Sequence, residues 1–174
     1  YVPEPEETLE HYARKMAVSI DTSYPFYLVG YSFGAVIMQE MLRFLYPEKS
    51  IIISSFKNKS EIPGLFQIVK RTHLTEFLPD RIFSSTDFIT SAFNRLIYHA
   101  SNAELSEYMT QTDPVYIKWA VEQITRWIPE TRSENLYHIH GTADQIFPFE
   151  QLDNVLPVED GDHLMVLKKA ETVS

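Results

Sequence analysis

The chain has 174 residues, enough for one domain with a substantial core and hardly enough for two. Its net charge is −9 and its pI about 5.1, and its basic residues do not cluster beyond a scatter such as Lys57, Lys59, Lys70 and Arg71, so nucleic acid is not an expected partner. The absence of cysteine excludes disulfides, thiolate metal sites and cysteine nucleophiles, and no apolar stretch approaches the roughly 20 residues that span a bilayer.

Taken in chain order, Glu7 to Ile20 reads as a helix. Leu9, Tyr12, Met16 and Ile20 recur at spacings of three and four, and Glu4, Glu6 and Glu7 make an acidic, solvated start suited to a helix N-terminus. Pro25 blocks continuation. Phe26 to Val29 is a nearly unbroken apolar run, as in a strand covered on both faces of a parallel sheet. A helical pattern from about Ala35, with Met38, Met41, Leu42 and Leu45 on its apolar face, stops before Pro47. A second buried strand follows at Ile51 to Ile53.

From about Phe56 to Glu134 there is no comparable strand, only short helical patterns rich in aromatics and punctuated by Pro63, Gly64, Pro79, Pro114 and Pro129. This stretch reads as a helical insertion within the single domain. Its clearest helix has Asp113 as N-cap and Pro114 at the first position, carries Tyr116, Ala120, Ile124 and Trp127 on one face, and ends at Pro129. The strand pattern resumes at Leu136 to His140 and turns at Gly141. A short helical segment after Pro148, a further apolar run from Val155 to Val158, and a last helix from about Leu164 through Ala170 complete the chain. Strands alternating with helices predict an α/β fold with a parallel sheet of about four strands.

In such sheets the loops at the carboxyl ends of the strands gather along one edge. Three notable segments occupy those positions: Gly30 to Gly34, Gly141 to Asp144, and Gly161 to His163. The first is a Gly-x-Ser-x-Gly pentapeptide between a strand and a helix, which makes Ser32 a candidate nucleophile. The flanking glycines are expected because a Cβ there would collide with backbone as the turn tightens. A serine hydroxyl is a weak nucleophile near neutral pH and needs a base, and that base needs an orienting carboxylate. His163 is the expected base, with Gly161 freeing the backbone to bring the imidazole over the sheet edge. Asp144 is the expected acid. Asp162 is its rival because it adjoins His163, although neighbours on a turn seldom aim their side chains at each other.

With Ser32, Asp144 and His163 in that order, the chain resembles the α/β-hydrolase superfamily over the second half of that fold, nearly the whole of this sequence. Three signatures carry the resemblance: Gly30 to Gly34, then His140 to Asp144 with Pro148 behind, then Gly161 to His163. Some members place the acid after the preceding strand, but here that position reads Ser54, Ser55, Phe56. The resemblance implies a Ser-His-Asp hydrolase acting through an acyl-enzyme on an ester or related acyl bond of a small molecule, with no metal or organic cofactor. It implies that residues 56–134 form a cap that selects the substrate. It also implies an oxyanion hole made by the Phe33 backbone N–H and a second N–H from a loop after an earlier strand, which this sequence does not contain. A sheet beginning at Phe26 would present a long apolar edge. The expectation is therefore that these residues are part of a longer chain, or that an absent segment pairs with this edge.

The alternative reading is an α/β-hydrolase-like module that binds a ligand or partner without turnover. His138 and His140 share one strand face, but no third ligand with metal-site spacing accompanies them, and strand histidines are usually packed and hydrogen-bonded. Tyr108, Tyr116, Trp119 and Trp127 either line an acyl pocket or hold the cap helices together. With neither a membrane span nor a signal peptide visible in a chain that opens at Tyr1, the expected location is the cytoplasm, and the oligomeric state stays open.

Overall fold

The computed structural model describes residues 1–4, 6–64, 66, 114–129 and 135–174. The readings placed on Lys70, Arg71, Tyr108 and Asp113 fall outside them, as does most of the stretch 56–134 expected to form a cap. Among the described residues, four strands form one parallel sheet in chain order: β1 (Tyr27–Tyr31), β2 (Lys49–Ile53), β3 (Leu136–Gly141) and β4 (Leu156–Val158). The register sets Val29 opposite Ile51, Ile51 opposite Tyr137, and Ile139 opposite Leu156. β4 is short and carries Pro157, whose missing N–H is tolerated at a sheet edge.

Helices α1 (Leu9–Ala17) and α2 (Phe33–Met41) lie on one side, α1 against α2 and α2 against the sheet through Ala35, Met38 and Ile52. Two short helices, α4 (Met165–Lys168) and α5 (Ala170–Val173), cover the other, where Met165 packs with Ile53 and Val158. Burying a side chain the size of Ile52 or Met165 contributes roughly 1.5–3 kcal/mol, so these contacts hold the strand ends in fixed relation. The expected single terminal helix is broken at Lys169, whose φ of −129° and ψ of 37° leave the helical region; nothing in its sequence marks the break. No helix among the described residues is long and apolar enough to cross a membrane.

Two sequence expectations are corrected. β1 is not covered on both faces by the described residues: Tyr27 and Val29 are 59% and 62% exposed, while Leu28 packs toward α2. Among the described residues β1 is the first strand of the sheet, and α4 and α5 pack over β2, β3 and β4 together with Tyr31 only. Nor is the acidic opening wholly solvated. Thr8 caps α1 by accepting the His11 N–H, and Glu7 is buried, its carboxylate taking the Glu4 N–H and pairing with Lys15 and His11.

Within the stretch expected to be an insertion, the described residues include α3 (Pro114–Arg126), whose aromatics, with the adjacent Trp127, anchor it to the core. Trp119 donates its Nε1–H to the Glu7 carbonyl at 2.6 Å, and Trp127 donates to the buried Glu40 carboxylate at 2.9 Å. Tyr116 and Trp119 also pack edge-on against Phe33, beside Ser32. These rings dock α3 on α1 and α2 and wall one side of the strand-end edge.

Candidate active site

At the β1–α2 junction the chain turns so sharply that Ser32 takes φ 51° and ψ −125°, a conformation costly for any residue with a Cβ, of order 1–3 kcal/mol. The Ser32 N–H donates to the Ile53 carbonyl at 3.0 Å, tying the elbow to the end of β2. Gly30 is required for space: a Cβ there would lie 2.4 Å from the Ala35 Cα. Gly34 is not, because a Cβ there would meet nothing within 4 Å. The expectation that both glycines relieve a collision therefore holds only for the first. Phe33 opens α2, so its N–H has no acceptor within the helix and is available beside Ser32.

Two further loops interlock behind the serine. A Cβ on Gly141 would sit 2.1 Å from the Gly161 carbonyl oxygen, so the loop after β3 and the loop after β4 touch backbone to backbone. Ala143 N–H donates to the Gly161 carbonyl at 2.9 Å, and Thr142 N–H to the Val158 carbonyl at 3.0 Å. Gly161 has no positive φ. Its value is the room it leaves for Gly141, rather than the conformational freedom expected of it.

This interlock brings His163 between Ser32 and Asp144. His163 Nε2 lies 2.9 Å from Ser32 Oγ, and Nδ1 lies 2.9 Å from Asp144 Oδ2. An ionised carboxylate can only accept, so Nδ1 carries the ring proton and Nε2 offers its lone pair to the serine hydroxyl. Asp144 and His163 are each 4% exposed. The other carboxylate oxygen, Asp144 Oδ1, accepts the N–H groups of Ile146 at 2.8 Å and Phe147 at 3.2 Å. Burial pushes the Asp144 carboxyl up, but the hydrogen bond and charge interaction with His163, aided by His140 and the Phe147 N–H, outweigh it and leave the group below its ordinary range. Asp162, the rival acid, is turned away: its Oδ1 accepts the Leu164 N–H and its Oδ2 pairs with Lys168.

All four residues singled out by sequence, Ser32, Phe33, Asp144 and His163, thus meet at one edge. Others were missed. Tyr31 donates its hydroxyl to the His163 carbonyl at 2.8 Å, fastening the histidine loop to β1. The motif carries no expectation at its variable position, so no signal marked Tyr31. Phe147 packs against the His163 ring with centroids 5.9 Å apart, and Phe66 stacks on Phe147. His138 departs from the expectation that a strand histidine is hydrogen-bonded. It is 2% exposed, and although Ser55 backbone lies near, neither ring nitrogen makes a hydrogen bond of acceptable geometry. Burial, the adjacent His140 and Lys57 push its pKa down to about 3. No group of three metal-ligating side chains occurs among the described residues.

A parallel sheet whose strand ends gather a serine elbow, an aspartate loop and a histidine loop is the arrangement of the α/β-hydrolase fold. Comparison with known proteins agrees. No protein-family model and no curated protein matches the sequence. Solved structures match in shape. An α/β-hydrolase fold protein from Burkholderia ambifaria superposes with a TM-score of 0.68 at 13% identity, over 98% of this chain and 72% of that one. A lipase-esterase related protein from Clostridium acetobutylicum gives 0.64 at 14% identity over 98% and 74%. An epoxide hydrolase from Bacillus megaterium gives 0.60 at 15% identity over 98% and 75%. The chain has the α/β-hydrolase fold, and at these identities the likeness speaks for the fold alone.

Proposed function

We propose that this protein is a serine hydrolase that cleaves an ester or related acyl bond of a small molecule through a covalent acyl-enzyme. The observation that carries the reading is the pair of 2.9 Å contacts joining Ser32 Oγ, His163 and Asp144, with Ser32 held in a strained elbow. Ser32 Oγ attacks the carbonyl carbon as its proton passes to His163 Nε2, and the Asp144 carboxylate orients the imidazolium that forms. The oxyanion develops beside the Phe33 N–H. His163 then delivers the proton to the leaving group, and a water activated by the same nitrogen releases the acyl group from Ser32. This chemistry requires neither a metal ion nor an organic cofactor. Phe147 packs against the His163 ring and Trp119 against Phe33, which places aromatic surface beside the reacting groups.

The fold serves several chemistries, and the similar structures include both a lipase-esterase related protein and an epoxide hydrolase. A serine at the elbow favours acyl transfer: an acyl-serine ester is hydrolysed by the reverse of its formation, whereas opening an epoxide with a serine would leave a stable ether. A fluorophosphonate probe is expected to label the protein stoichiometrically and to leave a Ser32→Ala variant unlabelled. Equal labelling of both, or no labelling of the wild type, would reject the hydrolase in favour of a binding module.

A further inference from the structure

We propose that His140 is a positioning residue for Asp144, a role that rests on the hydrolase reading above. His140 stands near the end of β3, directly before Gly141, and is fully buried. Its Nε2 lies 2.8 Å from the Phe147 carbonyl oxygen and 3.3 Å from Asp144 Oδ2. A carbonyl oxygen can only accept, so Nε2 carries the proton and Nδ1 is a bare lone pair. That lone pair has no hydrogen-bond partner, and the ring meets His138 edge to face with centroids 5.3 Å apart. An unpaired buried nitrogen is destabilising. Packing alone therefore does not account for an imidazole here, since a leucine would fill much of the space without stranding a polar atom.

What the imidazole supplies is one N–H in a particular place. Asp144 Oδ1 is held by the N–H groups of Ile146 and Phe147, and Oδ2 faces the His163 Nδ1–H. His140 secures both sides of this arrangement from the rigid sheet. By holding the Phe147 carbonyl it fixes the segment whose N–H groups grip Oδ1, and the positive end of the same N–H stands close to Oδ2. The carboxylate then stays aimed at His163 while the proton moves between Ser32 and Nε2. Burial, opposed by Asp144, lowers the pKa of His140 and keeps it neutral. A neutral donor orients Asp144 without cancelling the negative charge that stabilises the imidazolium at His163.

The test compares His140→Leu, which lacks the donor, with His140→Gln, whose amide N–H reaches the Nε2 position, after thermal melts establish that each folds. Ester hydrolysis by the leucine variant is expected to fall in kcat by about tenfold, the rate change equivalent to one hydrogen bond's net contribution, with KM within about twofold. The glutamine variant is expected to recover most of the loss. Independently of turnover, the proton NMR resonance of the His163 Nδ1–H is expected to broaden in the leucine variant and to remain in the glutamine variant. If His140→Leu does not fold, His140→Asn, whose amide is too short to reach the Phe147 carbonyl, takes its place. A folded leucine or asparagine variant with wild-type kcat and an unchanged resonance overturns the proposal, as does a folded glutamine variant impaired as fully as leucine. The expected resonance changes in a protein that hydrolyses no ester would support the positioning role and reject the hydrolase.

Discussion

Replacing Asp144 by asparagine tests the electronic role of the carboxylate with little change in shape. Two backbone N–H groups, from Ile146 and Phe147, point at Oδ1, so an asparagine at this site must place its carbonyl oxygen there. Its NH2 group then occupies the Oδ2 position, 2.9 Å from His163 Nδ1. An amide NH2 donates, so Nδ1 must become the acceptor and the ring proton moves to Nε2. In that tautomer His163 presents an N–H to Ser32 Oγ and has no lone pair with which to take the serine proton. The wrong-tautomer effect in other Ser-His-Asp enzymes costs about 10⁴ in kcat, equivalent to roughly 5.5 kcal/mol of transition-state stabilisation. Steady-state hydrolysis of p-nitrophenyl esters, together with the rate of fluorophosphonate labelling, measures it. Both rates should fall together while the melting temperature changes little. An Asp144→Asn variant that folds and keeps more than about a tenth of wild-type kcat would refute the assigned role.

Two further outcomes follow from the same contacts. His138 takes up a proton near pH 6.5 when unfolded but only near pH 3 when folded, so between those values the unfolded state binds the extra proton and stability falls as pH drops. The contribution is complete above pH 6.5. Between pH 7 and pH 5 the loss from this residue is about 2 kcal/mol, so His138→Phe should flatten the pH dependence of the unfolding free energy from urea melts by that amount, and an unchanged slope would show that His138 is not the source. Tyr31→Phe removes the hydroxyl that holds the His163 carbonyl. A destabilisation of about 1 kcal/mol and a several-fold lower kcat at constant KM are expected, and kinetics indistinguishable from wild type would remove Tyr31 from the positioning of His163.

Much of the described structure was legible from local pattern. The helical spacing of Leu9 and Tyr12, the apolar runs that became β1 to β4, and the Asp144 and His163 segments after their strands needed only short windows of sequence. Local reading failed where the three-dimensional surroundings of a residue decided its role. Glu7 looked like part of a solvated acidic helix start, yet the fold buries it, with Trp119 donating to its carbonyl and His11 and Lys15 pairing with its carboxylate. Gly34 looked sterically required by analogy with Gly30, but only Gly30 lies against the Ala35 backbone. β1 looked doubly covered, but an apolar run does not say which helices pack over it, and among the described residues α4 and α5 reach only Tyr31 of β1.

By itself the sequence determined the α/β alternation, the strand-to-helix turn at Ser32, and the order serine, aspartate, histidine, because backbone propensity and side-chain period are local properties. Tertiary structure alone decided that Ser32 and His163, 131 residues apart, meet at 2.9 Å. That distance depends on strand order in the sheet, on the backbone contact between Gly141 and Gly161, and on the hold of Tyr31 on the histidine loop. It alone likewise placed His140 against Phe147 and Asp144. Hydrogen bonds turn on tenths of an ångström and on direction, and these emerge only when the strand ends are packed into one edge.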